Sequence, residues 1–155
     1  MQPIVRSVFH APSHTFSYVV WDAATRRAAI IDPVLDYDPH SGRSGTQTAE
    51  QLIAVVEAEG LRVDWLLETH AHADHMSALA FLKARFDAST AIGERITEVQ
   101  ARFARLFNLG EDFATDGRQF DHCFADEETF ALGDLPGQVF HTPGHTSDHI
   151  TYVIG

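Results

Sequence analysis

The chain has 155 residues, 45% of them hydrophobic, which is enough for one domain with a buried core. Its net charge of −11 and its scattered Lys and Arg exclude the basic footprint of a nucleic-acid binder. No run approaches the ~20 apolar residues of a membrane span, Met1-Gln2-Pro3 opens no signal sequence, and the single cysteine, Cys123, fits a reducing, cytoplasmic setting.

Ile4–His10 and Thr15–Asp22 are rich in β-branched and aromatic residues, with Pro12-Ser13 between them as a turn. Arg27–Asp32 reads as a third strand ended by Pro33, so the opening is expected to be an antiparallel meander. Leu35–Gly45 is too polar and too rich in Gly and Pro for regular structure, and reads as a solvated loop or as a flap beside a site. Thr48–Glu59 predicts a helix. Thr48 caps it with Gln51 in the reciprocal position, Leu52, Ile53, Val55 and Val56 form the apolar stripe, and Gly60 ends it. Val63–Thr69 is a short strand whose Trp65-Leu66-Leu67 block suits burial on both faces. A helix near His75–Phe86 is expected next, then a strand at Ser89–Ile92. The helix that follows, Glu94–Phe107, keeps Ile96, Val99, Phe103, Leu106 and Phe107 at helical spacing. Asn108–Asp126 is polar and irregular. Glu128–Leu132, Gln138–His141 and His149–Ile154 read as strands between Gly/Pro turns. Strands at both ends with β-α alternation in the middle predict an α/β or α+β layered domain.

Ten histidines is a high count for this length, and the informative ones fall in two segments. In Glu68-Thr69-His70-Ala71-His72-Ala73-Asp74-His75, four candidate metal ligands lie within six residues, just after a strand. Residues two apart in extended backbone point to the same side, so His70 and His72 can converge on one ion. Asp74 and His75 follow within reach of that ion or a neighbouring one, and Asp74 also suits the N-cap of the next helix. Imidazole plus carboxylate suits zinc, iron, manganese or nickel, and the lack of thiolates argues against a soft structural zinc site. His145 lies in the second segment, His141-Thr142-Pro143-Gly144-His145-Thr146, after a strand and a Pro-Gly turn that can swing it inward. Both loops leave the C-terminal ends of predicted strands, a common place for open-sheet sites. His141 and His149 flank the second loop as candidates for orienting the ligands. His10, His14, His40 and His122 have no partners at ligand spacing and read as structural. Cys123 follows His122, but no third group completes a nucleophile there.

Thr69-His70-Ala71-His72-Ala73-Asp74-His75 resembles the His-x-His-x-Asp-His signature of the metallo-β-lactamase superfamily, and Thr142-Pro143-Gly144-His145-Thr146 resembles its next ligand loop. Ile31-Asp32-Pro33-Val34-Leu35-Asp36-Tyr37-Asp38, Ser41-Gly42-Arg43, Leu67-Glu68 and Gly93-Glu94-Arg95-Ile96-Thr97 are similar to segments of bacterial persulfide dioxygenases and the related β-lactamase-hydrolase-like proteins. The resemblance implies an αββα sandwich with metal between the sheets. In its dinuclear zinc members, the positions of His70, His72 and His145 hold one ion, and those of Asp74 and His75 hold the second. In the persulfide dioxygenases, a single Fe(II) sits on the positions of His70 and His145 plus a later aspartate, which leaves open positions for O2 and a persulfide sulfur. The expected metal set is therefore His70, His72, Asp74, His75 and His145, with Asp74 also the expected catalytic residue. Fe(II) is the expected cofactor and Zn(II) the alternative.

The implied reaction is oxidation of glutathione persulfide by O2 to sulfite. The alternatives are a dinuclear zinc hydrolase of the glyoxalase II type, acting on a glutathione thioester, and an inactive metal-binding fragment. The expected partner is a small thiol or persulfide, with no nucleic acid and no membrane, and a homodimer is among the expected assemblies. The family's later Gly-Asp loop and last histidine have no counterpart in residues 1–155. Asp148, three residues past His145, is set aside as a substitute. The expectation is a single domain over residues 1–155, the N-terminal part of a longer enzyme, with an apolar sheet face and a strand edge exposed.

Overall fold

In the computed structural model, which describes residues 2–155, the chain opens with β1 (Ile4–His10), β2 (Thr15–Trp21) and β3 (Arg27–Ile31). They form the expected meander, with β1 and β2 paired from Ile4↔Trp21 to His10↔Thr15. A hairpin of β4 (Val34–Asp38) and β5 (Arg43–Gly45) follows, then α1 (Gln47–Ala58) and β6 (Arg62–Leu67). Beyond the ligand loop come β7 (Met76–Ser77), α2 (Leu79–Arg85), β8 (Ser89–Gly93) and α3 (Ile96–Leu106). The last strands are β9 (His122–Phe124), β10 (Thr129–Leu132), β11 (Leu135–His141) and β12 (Ile150–Ile154).

The main sheet has the order β1-β2-β3-β6-β8-β9, and its parallel half, β3-β6-β8-β9, is connected through helices. Adjacent residues of a strand face opposite sides, and the core divides accordingly. Leu66 packs among Val19, Trp21, Ile30 and the buried faces of α1 and α2, whereas Leu67 packs with Val20, Ala29, Phe124, Val139 and Ile150 under the sheet β10-β11-β12. The Trp65-Leu66-Leu67 block is thus buried on both faces, as its composition implied. The described residues form three layers: helices α1 and α2, the main sheet and the small antiparallel sheet. Val5, Phe9 and Phe16, at 46%, 50% and 46% exposure, are the expected uncovered apolar surface on the main sheet.

Four expectations need correction. Leu35–Gly45 is a β-hairpin: Asp38 accepts from the His40 N–H and Ser41 hydroxyl, and Gly42 turns the chain at φ 69°. Its strands were masked by Asp36, Asp38, Arg43 and Ser44. The helix expected at His75–Phe86 begins only at Leu79, because Met76 and Ser77 pair with Leu35 and Val34. Thr48 does not cap α1 with its own side chain. Asp36 instead accepts from both the backbone N–H and the hydroxyl of Thr48, each at 2.8 Å, so the first turn is capped from β4. Finally, Asn108–Asp126 includes β9.

Replacing Asp36 with Ala leaves two donors of the α1 first turn unpaired, and is expected to cost about 1 kcal/mol of stability in urea unfolding, against no change if water serves equally well. Asp121 accepts from Lys83 Nζ at 2.6 Å and from Thr90 N and Oγ1 at 2.9 Å. The Lys83 bond first, then the Thr90 backbone bond, holds its carboxyl down at about 2, against an ordinary 3.8. The stabilisation is present above the ordinary value and is lost as pH falls towards the folded one. Asp121→Asn should therefore unfold at lower urea than the wild type near neutral pH and match it at about pH 2; a gap that persists at the acid end would contradict this.

Candidate metal centre

The end of β6 is held from three directions. The Asp32 N–H donates to Leu67 O, the Glu68 N–H to Ala91 O, and the Ile150 N–H to Thr69 O. These bonds tie β3, β8 and β12 to the start of the ligand loop. The second loop is clamped onto the first by buried Asp148, whose Oδ2 accepts the Ala71 N–H at 3.0 Å. Its neck is closed by Thr142 N donating to His149 O, and His141 Nε2 donates to Ser147 O at 2.9 Å. His141 therefore shapes the loop, and Asp148 is occupied in holding the loops together.

The imidazoles form one contiguous cluster. Ring centroids of His70 and His72 are 4.1 Å apart, as are those of His72 and His75, and His145 stands edge-on to His70 at 4.8 Å. His149 adds a fifth ring 5.0 Å from His70, with its Nδ1 buried and unpartnered. His149 was expected, from its place beside the second loop, only as a candidate for orienting the ligands.

Hydrogen bonding fixes which nitrogen each ring offers. The Thr69 hydroxyl lies 2.8 Å from Asp32 Oδ2 and 2.8 Å from His70 Nδ1. Its one proton goes to the carboxylate, so it accepts from His70 Nδ1–H. His70 Nε2 is then a lone pair, buried and without a partner. His75 follows the same logic: Nδ1 donates to Met76 O at 3.0 Å and Nε2 is buried and unpartnered. His72 is held the other way round, with Nε2 3.1 Å from Asp32 Oδ1 and 2.9 Å from Glu68 Oε2. Its Nδ1 faces Asp74, 3.9 Å away. Buried lone pairs without donors are what a cation would satisfy, so the donor set fits a metal ion. Ligand atoms of His70, His72 and Asp74 all lie within 4.8 Å of one another. Asp32, Glu68 and His72 form a second such group, but their contacts are direct hydrogen bonds that leave no room for an ion.

The electrostatics follow from burial and these bonds. Burial first, then the charge of His72, holds His70 down at about 4, so it stays neutral. Burial also opposes charge on His72, yet its bonds to Asp32 and Glu68 outweigh that and push it up to about 10. Burial raises Glu68 to about 7, with the charge of Asp32 adding to the rise, although its bond to His72 opposes it. Asp32 is lowered in spite of burial, by its bond to the same imidazole. Asp74 is lowered against burial, and its Oδ2 accepts from Thr15 Oγ1 at 3.0 Å instead of capping a helix.

Asp32 and Glu68 are the residues that ligand spacing missed. Glu68 Oε1 also accepts the Ser77 hydroxyl, and Ser77 Oγ accepts the Leu79 N–H at the start of α2. The ligand loop is thus tied shut at its base. His10 and His122 are structural as expected, bonded to Ser13 and Glu128. The Cys123 thiol donates to Gly117 O at 3.8 Å, and burial raises its pKa. A small cavity of about 130 Å³ lies against His70 and His75, and two larger clefts flank the ligand loop. One, of about 580 Å³, runs under the β4-β5 hairpin along Leu35, Tyr37 and Pro39, which places that segment beside the site as a flap would be; the other, of about 670 Å³, lies along α3.

Glu68→Ala is expected to weaken binding of a divalent cation about 10- to 100-fold in a chelator-competition titration, with Glu68→Gln weakened less. Unchanged affinity in Glu68→Ala would show that Asp32 alone orients His72.

The metallo-beta-lactamase superfamily model matches residues 10–155. A probable metallo-hydrolase of Burkholderia pseudomallei is 51% identical over 97% of this chain and 51% of its own length. A beta-lactamase hydrolase-like protein of Xylella fastidiosa is 47% identical over 99% of this chain and 35% of its own. The crystal structure of ETHE1 from Myxococcus xanthus superposes with a TM-score of 0.69 at 29% identity, covering 98% of this chain and 54% of that one. The chain thus spans about half, or less, of the length of these relatives. With its strand-end imidazoles, its two-sheet core and this match, the chain belongs to the metallo-β-lactamase superfamily.

Proposed function

We propose that this chain carries the metal-binding core of a non-haem Fe(II) persulfide dioxygenase, oxidising glutathione persulfide with O2 to sulfite. The observation that carries this reading is the surroundings of His70 Nε2, which is buried and unpartnered with the ring of His145 edge-on at 4.8 Å. His70 and His145 would hold the ion, while His72 is engaged on its far side by Asp32 and Glu68. A set with only two imidazoles leaves coordination positions for substrate. When bound, the ion supplies Lewis acidity and one-electron redox chemistry at the sulfur. The chain's own residues orient and shield. Thr69 sets the His70 tautomer, Glu68 closes the base of the loop, and the β4-β5 hairpin walls one side. Persulfide dioxygenase ETHE1 of Bos taurus, 25% identical over 97% of this chain, supports the reading.

A second reading has its own support. His70, His72 and Asp74 converge, and His75 offers a further buried, unpartnered Nε2, so donors beyond those of a single two-imidazole site are present. Two zinc ions would lower the pKa of a shared water for attack on a thioester. A hydroxyacylglutathione hydrolase of Acidiphilium cryptum is 38% identical over 84% of this chain.

Metal analysis with oxygen uptake, on a longer protein that carries this chain together with the later carboxylate, separates them. The first reading expects one iron per chain and O2 consumption on glutathione persulfide, abolished by His70→Ala. Two zinc ions per chain, thioester hydrolysis and no O2 uptake would overturn it in favour of the second.

A further inference from the structure

The two clefts beside the ligand loop share His72 and Ala73 but differ in charge. Among the described residues no Lys or Arg lines the cleft under the hairpin, where His10 is already bonded to Ser13 and lies 3.5 Å from Asp36. The other cleft is walled by one stripe of α3, Val99, Arg102 and Phe103 at i, i+3 and i+4, with Phe107 one turn on, and it ends at His145. The rings of Phe103 and Phe107 lie 5.5 Å apart and nearly parallel, at 10°.

Among the described residues Arg102 is the only Lys or Arg in that lining, which also includes His72, His145 and the buried carboxylate of Asp148, already bonded to the Ala71 N–H. Arg26, Arg27, Arg62, Lys83, Arg85 and Arg118 each have a carboxylate oxygen within 4.0 Å; among the described residues Arg102 has none, as is also true of Arg6, Arg43, Arg95 and Arg105, but of these five only Arg102 lines the α3 cleft. In a chain of net charge −11, a guanidinium left free in a cleft that reaches the candidate ligands is an anion receptor in waiting. Its apolar walls suit the aliphatic stem of the same ligand, and about 670 Å³ accommodates a tripeptide-sized molecule.

We propose that the α3 cleft binds the carboxylate-bearing end of the thiol substrate, with Arg102 pairing to the carboxylate and Phe103 and Phe107 packing along the stem. The inference rests on the functional reading above, in which the substrate's sulfur lies at the metal. Arg102 thereby selects a carboxylated thiol over a neutral one.

The test is binding of S-methylglutathione and of its diethyl ester to the full chain, followed by NMR or calorimetry. The wild type should prefer the acid over the ester about tenfold. Arg102→Gln should lose that preference by weakening the acid alone, and Arg102→Lys should keep part of it. Arg105→Gln, on α3 but outside the cleft lining, should change neither. Equal binding of acid and ester to the wild type, absence of binding, or equal weakening by Arg105→Gln would overturn the assignment. Binding is read without turnover, so the two claims fail separately. Arg102-dependent binding with neither oxygen uptake nor thioester hydrolysis refutes the functional reading alone. Turnover whose KM is unmoved by Arg102→Gln refutes the subsite alone.

Discussion

The Asp32 carboxylate is the anchor of the centre. Its Oδ1 accepts the Thr69 N–H and the His72 ring N–H, and its Oδ2 accepts the Thr69 hydroxyl that in turn fixes His70. Asp32 itself sits in the left-handed region at φ 49°, a conformation that Asp tolerates better than most residues. Its backbone is pinned on both sides, the N–H to Leu67 O and the carbonyl to the buried Ser17 hydroxyl. An uncommon backbone state held by this many bonds is characteristic of functional sites. One carboxylate at the end of β3 therefore sets the presentation of two imidazoles at the end of β6, and the parallel pairing of those strands is what brings them together.

The same economy runs through the rest of the site. Glu68 shares the His72 Nε2–H with Asp32 and links it to Ser77 and, through Ser77, to the start of α2. Asp148 bonds the ligand loop, and Tyr152 donates to Glu68 O at 2.9 Å, so the small sheet supports the base of the same loop. The hairpin β4-β5 contributes Asp36 to cap α1, while Leu35 and Tyr37 line a cleft. Segments far apart in sequence thus converge on the ligand loop and its base.

What was legible in the sequence was what local pattern encodes. The meander, α1, β6 and the last strands follow from alternation and helical spacing, and the clustered His and Asp gave the candidate ligands. Their roles as ligands remain part of the functional proposal. What was not legible depends on partners distant along the chain. Asp32 is 40 residues from His72, and although its segment Ile31–Asp38 carried part of the family resemblance, neither spacing nor composition tied it to the ligand loop. The helix expected from His75 failed because pairing with β4 drew Met76 and Ser77 into extended backbone, a tertiary interaction that overrides propensity. The hairpin was hidden because polar residues occupy its solvent-facing positions.

The central claim is that the ligand loop is ordered by protein carboxylates before any cation binds. Imidazole nitrogen NMR of the chain, recorded without metal and then with zinc, tests it most directly. The account predicts that His72 Nε2 keeps its proton and its bonded shift throughout, while His72 Nδ1 and His70 Nε2 move on adding zinc. A His72 ring that averages freely without metal, or that loses the Nε2 proton when zinc is added, would contradict it.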